Sequence, residues 1–447
     1  MAAATWSGHR GFVVVAAGAA VGLGNVWRFP YLVHRYGGGA FLLAYLASLL
    51  SLGLPLLMAE ILIGRRGRST PAGSLEIVAR AEGRTCWWRW IGWVGPGAAV
   101  LVLSAYSVMA GSLAAHLVGT SLGKLAGADP ARVAGPLADQ PWPMIGYHCL
   151  FVGLITLVTA RSIRAGLERI QSLLLSALLV VLLGLLLYVA RTTGRFADGL
   201  GLLLRPDFSL LNWRGVLEAM RHAIMTLALG LGVMMSYGAA LPSGTSIPGA
   251  ALVVVALDTI VTLLAAMVVF LLLLAGGSSP AEGSALAYTA IPGAAAVIPG
   301  GPIAAVAFFC FLTLAAVSSG IGILYPVVDQ LESRRGMRRG PAALLAGGTV
   351  WLLGFLSMVD WPATRTWLGH RAILDVLGFL GSTILLPLSV LGVALFAGWA
   401  MSRGATRTEL RLARPRLFVI WRHSMRYLVP PALLAILVLG ILERVWR

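Results

Sequence analysis

The residues best suited to chemistry in this chain are polar side chains inside long apolar runs. Asp258 lies in V-V-V-A-L-D-T-I-V-T, and a carboxylate within hydrocarbon is costly and usually functional. Asn25 and Thr226 stand beside glycine-rich interruptions of two other runs. With the carbonyl of Ala20, they supply the hard oxygen ligands that suit an alkali cation. The alternatives are an ion pair between Asp258 and a buried arginine, and ordinary helix–helix hydrogen bonds for Asn25 and Thr226.

Both glycine-rich interruptions fall where a continuous helix would be expected. The first, from Gly18 to Pro30, reads G-A-A-V-G-L-G-N-V-W-R-F-P, and the second, from Leu227 to Val233, reads L-A-L-G-L-G-V. A break in a spanning helix frees amides and carbonyls that hydrocarbon cannot solvate, so it is tolerated where it lines a polar cavity. Two broken helices at corresponding positions of two halves indicate a transporter built from inverted repeats.

Composition places the protein in a lipid bilayer. The chain has 447 residues, of which 58% are hydrophobic and 11% are charged, whereas soluble domains carry about 25% charged residues. We therefore expect an all-α polytopic membrane protein. The net charge of +17 does not indicate nucleic-acid binding, because the arginines cluster in loops between apolar runs, as the positive-inside rule describes. The three cysteines match no disulfide or metal motif.

We predict one transmembrane domain, residues 1–447, with eleven spans. The spans cover about 10–35, 40–63, 94–119, 143–160, 167–190, 216–240, 247–275, 301–332, 341–357, 371–400 and 427–446. Spans 1 and 6 are broken near 20–24 and 228–232, and the connector after span 7 holds a helical piece around Glu282–Ala290. Spans 1–5 (about 10–190) and 6–10 (about 216–400) form the two inverted repeats, and span 11 is an extra helix.

The arginines also predict the orientation. The loops that follow spans 2, 4, 8 and 10 are rich in arginine. This alternation predicts a multi-pass protein of the cell inner (plasma) membrane with a cytoplasmic N-terminus.

Several other intramembrane polar residues have two interpretations. Ser318 and Ser319 fit ordinary hydrogen bonds to a preceding carbonyl, and Tyr106 fits a local partner. Glu60 either anchors a broken helix or reaches the interface. Arg28 either snorkels or covers a cavity.

The motifs around these residues resemble those of the neurotransmitter:sodium symporter family, particularly its bacterial amino-acid members. In span 1 the chain reads W-x-x-x-x-G-F at Trp6–Phe12, A-G-A-A-V-G-L-G-N-V-W-R-F-P-Y at 17–31 and then G-G-G-A-F at Gly37–Phe41. The matching motifs continue with P-L-L-M-A-E-I-L-I-G-R at Pro55–Arg65. They also include L-S-A-Y-S-V-M-A-G in span 3, T-L-A-L-G-L-G in span 6 and L-D-T-I-V in span 7. The resemblance covers nearly the whole chain.

The resemblance implies a substrate held beside two sodium ions. The first ion would be bound by the Ala20 carbonyl, Asn25, Thr226 and Asp258. The second would be bound by the carbonyls of Gly18, Val21 and Ala315 and by the hydroxyls of Ser318 and Ser319. The substrate would be contacted by Ala20, Leu23, Gly24, Val102, Tyr106, Met225, Thr226, Ala228, Leu231, Ser319 and Ile323.

The resemblance also implies a class of substrate. The amides near Leu23 and Gly24, with the Tyr106 hydroxyl, would bind the carboxylate of an amino acid. Monoamine carriers of the family have an aspartate at the position of Gly22, and this chain lacks it. We therefore expect a neutral, apolar amino acid. The fixed charge of Asp258 would make chloride unnecessary.

Both gates depart from the family pattern. Arg28 and Trp6 match gate residues, but the outer aspartate is replaced by Gly378, with Asp375 as a possible substitute. The residues of the inner latch are Ala3 and Ser333, and the neighbouring Glu332 has no obvious partner. The leading hypothesis is a sodium-coupled amino-acid symporter. A proton-driven or uncoupled carrier and a non-transporting amino-acid sensor are the alternatives, and the sequence leaves the oligomeric state open.

Overall fold

The computed structural model describes residues 5–123, 141–161, 163–280, 286–358 and 373–445. Within these ranges the chain is helical, with no β-strand beyond one isolated bridge between Gly38 and Pro206. Nine of the described helices are long and apolar enough to cross a bilayer, and a tenth span consists of two helices bent by 59°. The predicted all-α polytopic class is confirmed.

The helices follow the predicted order of spans. In chain order they are α1 (His9–Ala20), α2 (Gly24–Arg35), α3 (Gly39–Gly67), α4 (Pro71–Ala81), α5 (Ile91–Ser121), α6 (Pro141–Thr159), α7 (Arg169–Thr193), α8 (Phe196–Leu204), α9 (Trp213–Met225), α10 (Val233–Ala239), α11 (Ile247–Gly276), α12 (Ile291–Ala296), α13 (Gly301–Arg335), α14 (Arg339–Met358), α15 (Ile373–Ala400), α16 (Arg403–Leu410) and α17 (Pro415–Arg444). Span 1 corresponds to α1 with α2. Span 6 corresponds to α9 with α10, whose 13 and 7 residues are too few for either to cross a bilayer alone.

The start of span 11 was predicted too late. The helix begins at Pro415 rather than near 427, and it includes Arg416 and Arg422, which the charge pattern had assigned to a loop. Proline is favoured in the first turn of a helix. The buried indole of Trp421 donates to the Pro55 carbonyl at 3.1 Å, so tertiary packing holds this charged segment in a helix.

The remaining differences concern loops and boundaries. The helices α4, α8 and α16 lie in segments predicted as loops. Span 3 begins at Ile91, after a 3-10 turn at Cys86–Trp90. The helical piece predicted around Glu282–Ala290 appears as a π-helical turn at Leu286–Ala290 followed by α12, and 282–285 lie outside the described residues. The first two residues of predicted span 10, the last of span 11 and Ala3 also lie outside them.

The centre of the bundle is built around the broken helices. Long helix α13 packs against α1, α5 and α7, while α11 packs against α1, α2 and α7. On the other side of the bundle, α3 packs against both α9 and α10. The two helix breaks are therefore enclosed by continuous helices, which keeps their free backbone groups away from lipid.

Candidate substrate and cation site

The first break separates α1 from α2 and leaves backbone groups free. The helix α1 ends at Ala20, where the Val21 amide still donates to the Ala17 carbonyl at 2.9 Å. The helix α2 begins at Gly24, and within the described residues the amides of Leu23 and Gly24 donate to no backbone carbonyl. Free amides and the positive end of the helix dipole make the start of α2 a suitable place for a carboxylate.

The second break, between α9 and α10, depends on backbone conformations with positive φ. Between Thr226 and Gly232, φ is 51° at Ala228, 79° at Gly230 and 81° at Gly232. The two glycines adopt this conformation at no steric cost, whereas Ala228 does so at some cost. The buried carboxylate of Glu60 accepts a 2.7 Å hydrogen bond from the Gly230 amide. Of the two interpretations of Glu60, the structure shows the anchor of a broken helix.

A cavity of about 300 Å³ lies between the two breaks, and all eleven residues predicted to contact the substrate line it. These residues are Ala20, Leu23, Gly24, Val102, Tyr106, Met225, Thr226, Ala228, Leu231, Ser319 and Ile323. The lining also includes residues that the sequence did not indicate, namely Ala19, Trp27, Ala105, Met109, His222, Ser382 and Leu386.

The described lining of the cavity contains no carboxylate, and its one formally charged side chain is Arg28. Most of the wall is aliphatic or aromatic. The Tyr106 hydroxyl is buried and has no hydrogen-bond partner among the described residues. An apolar cavity with one unsatisfied hydroxyl and free amides at one end fits a small molecule that is polar at one end and apolar at the other.

The residues of the predicted first cation site form one buried cluster. Asn25 Nδ2 lies 2.8 Å from Asp258 Oδ1 and 2.7 Å from Thr262 Oγ1, and the Thr226 hydroxyl donates to Asp258 Oδ2 at 2.7 Å. Asp258 is fully buried and forms no ion pair among the described residues, so the buried-arginine alternative is not what the structure shows. Thr262, one turn after Asp258 in α11, was missed by the sequence analysis.

The second predicted cation site also brings distant residues together. Ser318 Oγ lies 2.7 Å from the Gly18 carbonyl oxygen and 2.6 Å from Gln171 Oε1, and Gln171 Nε2 donates to the Ser318 carbonyl at 2.8 Å. Gln171 lies on α7, and no motif in the sequence indicated it as a residue of the site. Val21, which follows α1, and Ala315, on α13, are also buried, and α1 packs against α13.

Ser318 Oγ carries a single proton but has two acceptor oxygens within hydrogen-bond distance. The hydroxyl can donate to only one of them. Its contact with the other oxygen places lone pairs against each other, and a cation would relieve this repulsion. Ser319 lies one residue further on and faces the substrate cavity, so the two serines connect the cluster to that cavity.

Comparison with known proteins identifies the family. The model of the sodium:neurotransmitter symporter family matches residues 3–111 and 137–442. The chain belongs to this family. An uncharacterized sodium-dependent transporter of Bacillus subtilis, YhdH, is 30% identical over 98% of both chains, and one from Haemophilus influenzae is 28% identical over 97% of both. The crystal structure of MhsT in complex with L-phenylalanine superimposes with a TM-score of 0.86 at 32% identity, covering 98% of this chain and 99% of MhsT.

These comparisons make the chain a sodium-dependent transporter rather than an enzyme. They also confirm the symporter fold with its broken helices, since the likeness to MhsT extends over nearly the whole chain.

At one end of the substrate cavity, Arg28 has a partner that the sequence pattern did not indicate. Arg28 Nη2 lies 2.6 Å from Glu218 Oε2 on α9, and Glu218 also binds Arg221 at 2.9 Å. Asp375, the suggested substitute on span 10, is exposed and is not the ion-pair partner of Arg28. Gly378, at the family's aspartate position, lines the cavity. The Arg28–Glu218 ion pair therefore joins the two broken helices to each other rather than to α15.

At the opposite end of span 1, the N-terminal segment is held by contacts other than the expected latch. The buried indole of Trp6 donates to the Tyr237 carbonyl at 2.8 Å, and the two rings meet edge to face. The Ser7 backbone amide donates to Glu168 at 3.1 Å, and the Ser7 hydroxyl also contacts that carboxylate. Glu332, for which no partner was expected, pairs with Arg339 at 2.8 Å, and Ser333 is exposed.

Proposed function

We propose that this symporter couples sodium to the movement of a neutral, apolar amino acid across the plasma membrane. One observation carries the proposal. Asn25 and Thr226 line the substrate cavity, and both are hydrogen bonded to the buried carboxylate of Asp258. Substrate and cation would then share residues, so binding of one changes the free energy of binding of the other. Such a reciprocal free energy is the physical basis of coupling.

The first sodium ion would be held by Asp258, the Thr226 hydroxyl, the Asn25 side-chain oxygen and the Ala20 carbonyl. Asn25 now donates to Asp258, so its amide would rotate to present Oδ1 to the ion. Asp258 supplies one fixed negative charge with no arginine or lysine paired to it among the described residues. A buried carboxylate of this kind is stabilised by a cation.

The second sodium ion would be held by the carbonyls of Gly18, Val21 and Ala315 and by the hydroxyls of Ser318 and Ser319. Ligands on α1 and α13 would come together only when these helices are packed. The ion would therefore stabilise the conformation in which the inner end of α1 is docked on α13.

The substrate's carboxylate would bind the amides of Leu23 and Gly24, which donate to no backbone carbonyl among the described residues, and the buried hydroxyl of Tyr106. The side chain would occupy the apolar part of the cavity, lined by Val102, Met225, Ala228, Leu231 and Ile323. The likeness to a protein that binds L-phenylalanine supports a bulky apolar side chain. L-phenylalanine is therefore the first probe to use.

The fixed charge of Asp258 would also replace chloride. A bound anion would compensate the charge of the first sodium ion, and Asp258 already does so through Asn25 and Thr226. We therefore propose transport that is independent of chloride.

We further propose alternating access between the Arg28–Glu218 pair at one end and the Trp6–Tyr237 contact at the other. The two repeats, about 10–190 and 216–400, would each contribute one broken helix to this movement. The arginine-rich loops support an N-terminus on the cytoplasmic side of the membrane.

Equilibrium binding of labelled L-phenylalanine to purified protein tests this proposal. We expect binding in sodium buffer that is lost when potassium replaces sodium. A panel of unlabelled amino acids then defines the substrate class by competition. Binding of equal strength in both salts would contradict the sodium coupling, and competition by charged rather than apolar amino acids would contradict the substrate class.

A further inference from the structure

A second cavity lies on the outside of the helical bundle, between α3 and α17. This groove has a volume of about 720 Å³ and is lined mainly by exposed apolar side chains, including Leu50, Ile420, Tyr427 and Leu428. Its floor is closed by the buried Ser424 hydroxyl, which donates to the Ser51 carbonyl at 2.6 Å. The groove is separate from the substrate cavity and shares no lining residue with it.

Both walls of the groove have π-helical turns, at Leu49–Gly53 in α3 and at Ser424–Leu428 in α17. Such turns widen a helix locally and occur frequently at functional sites. Here they contact each other and shape a continuous exposed surface along the two helices.

A basic pocket of about 390 Å³ continues from the groove towards the end of α17. It is lined by Arg403, Arg422 and Arg426. The groove and the basic pocket share Val419, His423 and Tyr427, which lie four residues apart on one face of α17. One continuous surface therefore has a cationic end and an apolar body.

The positive charge of the basic pocket is not neutralised within the described part of the chain. Arg422 donates to the Thr406 hydroxyl at 3.1 Å and to the Met401 carbonyl at 3.3 Å, and Arg426 donates to the Gly398 carbonyl at 2.7 Å. These are neutral acceptors. Arg403 is exposed and has no carboxylate partner among the described residues.

Two carboxylates that neighbour Arg403, one on the same helix and one bonded to the preceding residue, are already paired with other arginines. Glu409 pairs with Arg65 at 2.6 Å, and Glu82 pairs with Arg66 at 2.7 Å while accepting from the Ser402 amide at 3.0 Å. Arg84, bonded to the Ala400 carbonyl at 3.1 Å, adds another guanidinium at this end. The pocket therefore keeps a net positive charge that an anion of complementary shape would satisfy.

We propose that this surface binds one anionic phospholipid, with its phosphate in the basic pocket and an acyl chain in the groove. The planar guanidinium group of arginine can donate two parallel hydrogen bonds to the oxygens of one phosphate group. Basic pockets between transmembrane helices on the cytoplasmic side bind anionic headgroups, and an apolar groove at membrane depth accommodates an acyl chain. The groove favours a lipid over a soluble phosphate as the ligand, because a soluble phosphate would leave the apolar groove empty.

The test measures lipid retention by native mass spectrometry after purified protein is equilibrated with equal amounts of phosphatidylglycerol and phosphatidylcholine. We expect one phosphatidylglycerol to be retained in preference to phosphatidylcholine. Arg403→Gln should lower its apparent affinity by about fivefold, the effect of one arginine near an anionic headgroup. Ile420→Trp, which fills the groove with a bulkier side chain and adds no charge, should lower retention of both lipids at this site.

Arg407→Gln is the matched control. Arg407 lies one turn after Arg403 on α16, is also exposed, and does not line the basic pocket. Its replacement removes the same charge and should leave retention unchanged. Equal loss in both variants would show a general charge effect and would overturn the proposal.

Two other results would also overturn the proposal. If glycerol 3-phosphate displaced the lipid at similar concentrations, the site would be one for soluble phosphate. If the protein retained no lipid and instead formed dimers that Ile420→Trp abolished, a second copy of the chain would be the occupant. None of these measurements depends on sodium or on an amino acid, so they are independent of the proposed transport function.

Discussion

Arg28 Nη2, at the lining of the substrate cavity, lies 2.6 Å from Glu218 Oε2 and links the two broken helices to each other. The side chains are 33% and 16% exposed, so water screens the pair only in part. Arg28 lies on α2, the helix that begins at the free amides. Glu218 lies on α9, the helix that ends just before the positive-φ turn. Closure of this end of the cavity would therefore bring together the same two helices that would hold the substrate.

Glu218→Gln should weaken this closure. Removing the charge should lower the affinity for L-phenylalanine by about fivefold, corresponding to about 1 kcal/mol for a partly exposed ion pair. The measurement is equilibrium binding in saturating sodium. Asp375→Asn is the control, because Asp375 is the exposed acidic residue on span 10 and is not paired with Arg28. A larger effect of Asp375→Asn than of Glu218→Gln would refute this assignment of the outer gate.

The Arg28–Glu218 pair also shows where sequence reasoning stops. The motif around Arg28 predicts a gate, and Gly378 correctly indicates that the usual partner on span 10 is missing. Nothing in the local pattern of α9 marks Glu218 as the replacement, because a partner across the bundle depends on tertiary packing. The same reason explains why Gln171, which contacts Ser318 from α7, was missed.

Features with a local cause were predicted more successfully. The glycines at the two breaks require a particular backbone, so their positions are visible in the sequence, and both interruptions of spans 1 and 6 are confirmed. The start of span 11 was wrong because arginines on its first turns suggested a loop. Those arginines lie at the basic end of a helix whose Trp421 is fixed by a distant carbonyl.

Ser318→Ala tests the second sodium site. Loss of the hydroxyl should raise the sodium concentration for half-maximal substrate binding by about tenfold, because a hydrogen-bonding ligand of a charged group is removed. Sodium titration of L-phenylalanine binding measures this effect. Thr313→Val is the control, since the Thr313 hydroxyl is on the same helix and bonds only to the Phe309 carbonyl at 2.8 Å. An unchanged titration in Ser318→Ala would argue against an ion at this cluster.

Ile323→Phe tests the proposed position of the substrate side chain. Ile323 lines the cavity and is 5% exposed, so a larger side chain must occupy space intended for the ligand. The affinity for L-phenylalanine should fall roughly 10- to 100-fold, while that for L-alanine should change much less. Competition assays with both amino acids on the same variant provide an internal control for folding. Equal losses for the two would place the side chain elsewhere.

Asp258→Asn tests whether this carboxylate replaces chloride. In chloride-free sodium buffer the variant should bind L-phenylalanine at least about tenfold more weakly, because the buried negative charge beside the first ion is gone. Adding chloride should restore part of the affinity in the variant and have no effect on the unmodified protein. Melting temperatures of the two proteins control for folding. A chloride requirement in the unmodified protein would contradict the proposal.

The most direct measurement of the central claim is uptake of labelled L-phenylalanine into proteoliposomes with an imposed sodium gradient. The account predicts accumulation above the external concentration only while sodium is higher outside. It also predicts that accumulation is lost when sodium is equal on both sides or when Asp258→Asn protein is used. Concentrative uptake in the absence of a sodium gradient, or uptake driven by a proton gradient alone, would contradict it.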